Sequence, residues 1–283
     1  MPKVSACMPI YNTAPTHLRE AIKSVLSQTF KDFEFLIINS SPDNKELDKI
    51  VAEFKDPRII YKKGKKTLEI SEAFNILIDM ARGSYLAICE HDDISLPMRF
   101  EKQVAYLDAN PNVGVVSAQI RWFPKKEEKG EWQTRNPTDN FNIKVKLMKD
   151  CALQHPVAMI RKSVLMENDI RYEFRFNPAV DHRLWIRLID FTEFHNIDEV
   201  LLKYRWFGGN ASVLQRQRLQ DAVGEVRIYA QNKYPALYLE YLARYSSRQR
   251  VWLFGFIPLF KIIRRPGKIL IKLFDRITVI KIK

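Results

Sequence analysis

Apolar positions in the first 120 residues follow two rhythms. Short uninterrupted runs, "KVSACMPI" (3–10), "FEFLIIN" (33–39), "RIIYK" (58–62), "SYLAICE" (84–90) and "VGVVSA" (113–118), read as buried strands. Between them, apolar residues recur at helical spacing. Leu18, Ala21, Ile22, Val25 and Leu26 form one stripe, with Thr16 as the expected cap; Leu47, Ile50, Val51 and Phe54 form another. Ser71 is expected just before a third helix that Gly83 ends, and Pro97 is expected to open a fourth. Strands joined through helices need crossover connections. The pattern therefore predicts an α/β fold: a central mixed, mostly parallel sheet flanked by helices.

Beyond residue 120 the rhythm breaks. Residues 121–150 are polar, rich in Lys and Glu, and hold Trp122 and Trp132. "HPVAMIRKSVL" resumes strand then helix, "DHRLWIRLID" puts Leu184, Trp185, Leu188 and Ile189 on one helical face, and "VLLKYRWF" reads as a late strand. No repeat or low-complexity segment is evident. The chain of 283 residues is 46% apolar, which allows a sizeable core. Cys7, Cys89 and Cys151 lie far apart, without metal-ligand spacing or a disulfide framework, and point to a reducing compartment. The N-terminus has no signal-peptide pattern, and no apolar run reaches the roughly 18 residues of a membrane span. A cytoplasmic location is the expectation.

Charge divides the chain. Residues 242–283 hold eleven Lys or Arg against one acid, Asp275, a net +10 out of the chain's +13. This sets an expected boundary between a domain at 1–241 and a basic amphipathic extension at 242–283. Positive charge confined to a tail argues against a nucleic-acid-binding face. The extension mixes aromatics (Trp252, Phe254, Phe256) with basic residues. It either lies on an anionic membrane surface or packs its aromatics on the domain.

The concentrated chemistry is in "AICEHDDISLP" (87–97), where an apolar strand stops at Glu90, His91, Asp92 and Asp93. In sheets of this kind, ligands bind beyond the carboxyl ends of the strands. Adjacent carboxylates on such a rim suit Mg²⁺ or Mn²⁺, which take oxygen ligands from one or two carboxylates and from substrate phosphates. The other reading is a polar turn in which Asp92, Asp93 and Ser95 cap the following helix. No glycine-rich dinucleotide or P-loop pattern occurs, which disfavours dehydrogenase and P-loop phosphotransferase chemistry.

"VSACMPIYN", "AIKSVLSQTFKDFEFLIIN" and "ISEAFNILIDMARGSYLAICEHDD", in this order, resemble the family 2 glycosyltransferases, as do "DHRLWIRL" and "LLKYR" further on. The resemblance covers roughly residues 3–210. It implies the A-type glycosyltransferase (nucleotide-diphospho-sugar transferase) fold. It also implies metal-dependent, inverting transfer of a hexosyl or N-acetylhexosaminyl group from a nucleotide-sugar donor to a saccharide or lipid-linked acceptor. The implied setting is bacterial surface polysaccharide synthesis, of the lipopolysaccharide or capsule type, at the inner face of the cell membrane. A non-catalytic, membrane-associated saccharide-binding or scaffold protein retaining the fold is the competing reading.

The resemblance also implies roles. Asp93 aligns with the last acid of the family's metal-binding motif, and Asp92 contacts the ribose or shares the metal. Asp181 matches the catalytic base, although an Asp before an amphipathic helix also suits a cap. Pro9, Tyr11 and Asn39 border the nucleotide base, with Asn39 and Ser40 standing where two acids are usual. Arg205 faces phosphate, and Trp206 and Phe207 follow it where the family often has a His. His155 lines the acceptor pocket, and residues 121–150 form an insertion or an acceptor-side loop. Lys62, Lys63, Lys65 and Lys66 either attract the diphosphate or form a solvated loop.

Overall fold

The computed structural model describes residues 1–123, 132–207, 210–245, 248–253, 257–265, 268–273 and 277–282. Two compact units emerge: Met1–Leu147 with Cys151–Val226, and Met148–Asp150 with Arg227–Lys283.

The first unit alternates as its sequence predicts. β1 (Val4–Ile10), α1 (Pro15–Leu26), β2 (Phe33–Asn39), α2 (Lys45–Glu53), β3 (Ile59–Lys63), α3 (Ile70–Met80) and β4 (Tyr85–Ile88) give four parallel strands with helical crossovers. Then come β5 (Ile94–Ser95), α4 (Arg99–Ala109), β6 (Val113–Phe123), α5 (Asn140–Leu147), β7 (Met159–Arg161), α6 (Lys162–Glu167), α7 (Val180–Leu188) and β8 (Glu193–Arg205). The sheet order is β3-β2-β1-β4-β7-β6-β8-β5. β7 runs antiparallel to both neighbours and β5 antiparallel to β8, so the sheet is mixed. The core packs Val4, Ala6, Met8 and Ile10 of β1 against Leu18, Ala21, Ile22 and Val25 of α1 and Phe100 and Leu107 of α4. The α8 (Ala211–Leu214) and α9 (Arg216–Lys233) helices follow β8.

Local details correct several expectations. Thr16 does not cap α1; Pro15 opens it after Ala14, because proline's fixed φ suits a first helical position. Ser71 lies inside α3, whose N-terminus is a capping box between Glu69 and Glu72. Gly83 does not terminate that helix. It lies against β1, where a Cβ would stand 2.7 Å from the Ser5 nitrogen, and its N–H donates to Ser5 Oγ at 2.9 Å. The late strand starts seven residues before "VLLKYRWF", because its polar first half pairs with β6. Within 121–150 the structure holds the end of β6, a bridge from Arg121 to Gln133, and α5; residues 124–131 lie outside the described residues.

In the second unit, α10 (Pro235–Tyr245) precedes a four-stranded antiparallel meander: β9 (Arg248–Leu253), β10 (Ile257–Arg265), β11 (Lys268–Leu273) and β12 (Ile277–Ile282). Phe254 and Phe256 lie outside the described residues. Among the described residues, no helix is long and apolar enough to cross a membrane.

Candidate active site

The acidic loop is anchored on both sides. On the β4 side, Cys89 N–H donates to Cys7 O at 2.9 Å, continuing the ladder one residue past the strand. The wholly buried Arg99 of α4 donates to Ile88 O (2.6 Å), Ala158 O (3.2 Å) and Ser95 Oγ (2.9 Å), fixing the two chain segments that flank the loop. On the β8 side, Arg205 N–H donates to Asp93 Oδ1 at 2.8 Å and Arg205 Nε to Asp92 O at 2.7 Å. The Arg205 guanidinium also pairs with Glu20 of α1 and lies 4.6 Å from the Phe123 ring centroid. Arg205 was expected to face the donor phosphate. The structure shows this buried side chain holding the acidic loop.

Asp93 is 3% exposed, and its Oδ2 has no hydrogen-bond partner. Burial first, then the neighbouring Asp92 charge, pushes its carboxyl well above the usual range. Asp92 is raised as well, chiefly by burial, with His91 opposing and Glu90 adding to the rise. Neither carboxylate caps α4, whose N-cap is Met98 without any side-chain bond. The capping alternative is thereby removed. A buried carboxylate oxygen without a donor fits a cation, and the two adjacent acids fit Mg²⁺ or Mn²⁺ in particular. Among the described residues, no three His, Cys, Asp or Glu side chains form a complete cage, so phosphate or water oxygens would supply the remaining ligands.

Asp181 lies in the first turn of α7, after an N-cap at Ala179 that makes no side-chain bond. Asp181 is therefore not the cap. Its Oδ2 accepts from the Cys151 thiol at 3.5 Å, and burial together with this carboxylate pushes that thiol well up.

Tyr172 connects the two acidic regions. Its hydroxyl is pushed well up by burial first, then by Asp181, and further by Cys7 and Glu90. Between Glu90 and Tyr172 stands His155, with Nδ1 3.2 Å from Glu90 Oε1 and Nε2 2.9 Å from Tyr172 Oη. The ring is 7% exposed and meets Phe74 edge-on at 5.0 Å. His155 was expected to line the acceptor pocket. Both its ring nitrogens are engaged, and it ties Glu90 of the acidic loop to Tyr172. Asn75 of α3 clamps the Tyr172 backbone at 2.9 and 3.0 Å.

At the far rim, Pro9 is buried in β1 opposite Ile38, and Tyr11 stands exposed just beyond the strand. Asn39 is buried at the end of β2. Its Nδ2 donates to Asp48 (2.8 Å) and its Oδ1 accepts from Ser41 N–H (2.9 Å), so both ends of the amide expected beside the nucleotide base are engaged inside the protein. The neighbouring Ser40 Oγ is buried without a partner. Asp48, which no local sequence signal marked, also binds Tyr61 and Lys63. Lys66 pairs with Glu72, while Lys62 and Lys65 are exposed.

His17 of α1 was also missed from sequence. Its ring lies 5.2 Å from Phe207, and burial first, then Arg205, holds its pKa down; Asp92 and His91 act on it as well. It joins the corner occupied by Arg205 and Asp92. The only local signal was its i,i+3 spacing to Glu20 on the same helix.

This mixed sheet with an acidic loop at its rim is the nucleotide-diphospho-sugar transferase fold. Staphylococcus aureus TarS (1–349, in complex with UDP-GlcNAc) matches with a TM-score of 0.66 over 86% of this chain and 73% of that one, at 13% identity. The mannosyltransferase PcManGT from Pyrobaculum calidifontis, in complex with GDP-Man and Mn²⁺, matches with a TM-score of 0.64 over 87% and 70%, at 16% identity. Residues 5–168 match Glycosyl transferase family 2. A glycosyltransferase of Methanocaldococcus jannaschii is 34% identical over 210 residues, 72% of this chain and 71% of that protein. The Escherichia coli O-antigen biosynthesis glycosyltransferase WbnJ is 33% identical over 196 residues, 65% and 72%. The chain belongs to glycosyl transferase family 2.

Proposed function

We propose that this glycosyltransferase moves a hexosyl or N-acetylhexosaminyl group from a nucleotide-diphospho-sugar to a saccharide or lipid-linked saccharide, with inversion, in bacterial surface polysaccharide synthesis. The observation that carries the reading is the unpartnered, buried Oδ2 of Asp93 at the sheet rim. The UDP-GlcNAc and GDP-Man complexes of the fold neighbours support a nucleotide-sugar donor, and the O-antigen relative supports the polysaccharide setting. Asp93 with Asp92 would hold Mn²⁺ or Mg²⁺, which as a Lewis acid neutralises charge gathering on a diphosphate leaving group.

This chain's own residues do the rest. Arg205 and His155 keep the acidic loop in one conformation, so little ordering remains for substrate binding to supply. Asp181 takes the proton from the acceptor hydroxyl as that oxygen bonds to the anomeric carbon and the bond to the diphosphate breaks; one displacement inverts the centre. The basic residues of 242–283 support attraction to anionic headgroups at the inner membrane face.

The test is donor hydrolysis and transfer with a panel of UDP-, GDP-, dTDP- and CMP-sugars, with Mn²⁺ or with EDTA. Asp181→Asn is expected to lower turnover at least a hundredfold and leave donor binding within about threefold, as expected for a base acting in the transition state. Asp93→Asn is expected to abolish Mn²⁺-dependent donor binding without lowering the metal-free unfolding midpoint, since it relieves a buried charge. Metal-independent binding that survives Asp93→Asn would sink the reading.

A further inference from the structure

Asp181 is held weakly through its own side chain. The contact its carboxylate makes with Cys151 Sγ is long, at 3.5 Å, and a thiol is a weak donor. Where Asp181 stands therefore depends on the backbone of α7. That helix is fastened to the segment 171–177 just before it. Arg183 Nε donates to Glu173 Oε2 at 3.0 Å, and its guanidinium lies 4.8 Å from the Phe176 ring centroid. One turn on, Arg187 pairs with Glu173 Oε1 at 3.1 Å and donates to Arg171 O at 3.2 Å. Side chains four apart share a helix face, so one face of α7 carries both links.

α3 holds this segment at two points. Asn177, 2% exposed, accepts from Ser71 N–H through Oδ1 (3.3 Å) and donates through Nδ2 to Ser71 Oγ (2.9 Å) and Phe174 O (2.8 Å). Asn75 takes both backbone groups of Tyr172, at 2.9 and 3.0 Å. Ser71 and Asn75 are themselves one turn apart on α3. The oxygen and both N–H groups of the Asn177 amide are engaged, and a buried amide so fully paired specifies one geometry. The same helix reaches the acidic loop. Phe74 stacks on Tyr172 at 5.2 Å and meets His155 edge-on at 5.0 Å, and His155 holds Glu90. α3 is thus the shared frame of the acidic loop and of the helix that carries Asp181.

We propose that Asn177, together with Ser71 and Asn75, positions the catalytic base: this two-point clamp fixes where Asp181 stands relative to the acidic loop. The clamp acts through the backbone, since Asn177 lies four residues before Asp181. Single displacement needs the base, the attacking oxygen and the anomeric carbon aligned, and a misplacement of about 1 Å costs as much as a hundredfold in rate. The clamp therefore governs turnover, while donor affinity depends on the acidic loop. The proposal rests on the reading of Asp181 as base and deepens it by naming what places that base.

The test measures donor hydrolysis by the full chain, with water as acceptor and Mn²⁺ present, using whichever sugar nucleotide of the panel turns over fastest. Rates are read well below each variant's unfolding midpoint. Asn177→Ala is expected to lower kcat roughly tenfold or more, and Ser71→Ala or Asn75→Ala about threefold to tenfold, with donor KM within about threefold. The deciding arm adds each change to Asp181→Asn. There the residual rate is expected to fall less than about twofold further, because no base remains to be misplaced. A loss repeated in full in that background marks a merely structural role and overturns the proposal. So do single variants that keep kcat, or that change donor KM alone. Ser71→Ala removes one hydroxyl and keeps the test open if Asn177→Ala does not fold. Clamp variants that keep kcat while Asp181→Asn loses it remove the clamp alone; an Asp181→Asn protein with full turnover removes the base reading, and the clamp's role with it.

Discussion

Arg205→Met separates two accounts of one side chain. Methionine keeps most of the apolar stem and removes the guanidinium. The charged hydrogen bond to Asp92 O, at 2.7 Å, contributes about 1.5–3 kcal/mol in a buried site. The Phe123 contact at 4.6 Å adds about 0.5–2 kcal/mol. The pair with Glu20 adds under about 1 kcal/mol, because Glu20's side chain is 54% exposed and water screens it. The expected loss is therefore about 2–6 kcal/mol. With a urea dependence of about 2–3 kcal/mol per molar, the midpoint falls by roughly 1–3 M at unchanged slope, read by tryptophan fluorescence. Arg205→Lys keeps the charge but not the planar fork, and falls between the two. Donor affinity, measured on folded protein at low temperature, is expected to weaken only as far as the loop loosens. A variant of undiminished stability that has lost donor binding would refute the positioning role and return Arg205 to the phosphates.

Two further outcomes follow from packing and charge. Gly83→Ala forces a Cβ to within 2.7 Å of the backbone at Val4 and Ser5, and overpacking of this kind costs about 1–3 kcal/mol; an unchanged urea midpoint would contradict the close approach. Glu34 is buried, which alone would raise its pKa. Hydrogen bonds from Ser5 Oγ, Arg82 N–H and the Arg82 guanidinium, each at 2.7 Å, instead hold it below its ordinary 4.5. A depressed carboxyl stabilises the fold above its unfolded pKa, and that contribution disappears as pH falls through the folded value. Glu34→Gln is expected to be less stable at pH 7 and to show a flatter loss of stability with acid below pH 4.5; equal acid slopes in the two proteins would contradict the assignment.

Legibility in the sequence followed the range of the interaction. The apolar stripe of α1 and the strand run of β2 lie where their periodicity puts them, because each is set by neighbours a few residues away. Caps were less legible. Thr16 and Ser71 have cap chemistry, but Pro15 and the Glu69–Glu72 box lie within a turn of them and start the helices instead. The antiparallel insertion of β7 could not be read at all. Three residues, Met159–Arg161, carry no direction, and only pairing with β4 and β6 supplies one. Within the site, the acidic loop announced itself, since consecutive carboxylates after an apolar run are a local feature. Arg205's hold on that loop spans 112 and 113 positions, and His155's hold on Glu90 spans 65. No spacing rule reaches that far, so neither hold is visible in the sequence.

The same contrast explains why Asp93 carries the argument and Asp181 does not. A folded chain can leave a partly exposed carboxylate such as Asp181 in a helix's first turn at little cost, because a helix N-terminus favours negative charge. Leaving a buried carboxylate oxygen without a donor, beside a second acid, costs several kcal/mol. Here the backbone N–H of Arg205 satisfies one oxygen of Asp93 and leaves the other open. The groups that fix the loop hold it by its carbonyl at residue 92 and by Glu90, and leave that oxygen uncapped. On so firmly held a loop, that open oxygen is where a divalent cation brought with a diphosphate would bind under the proposed reaction.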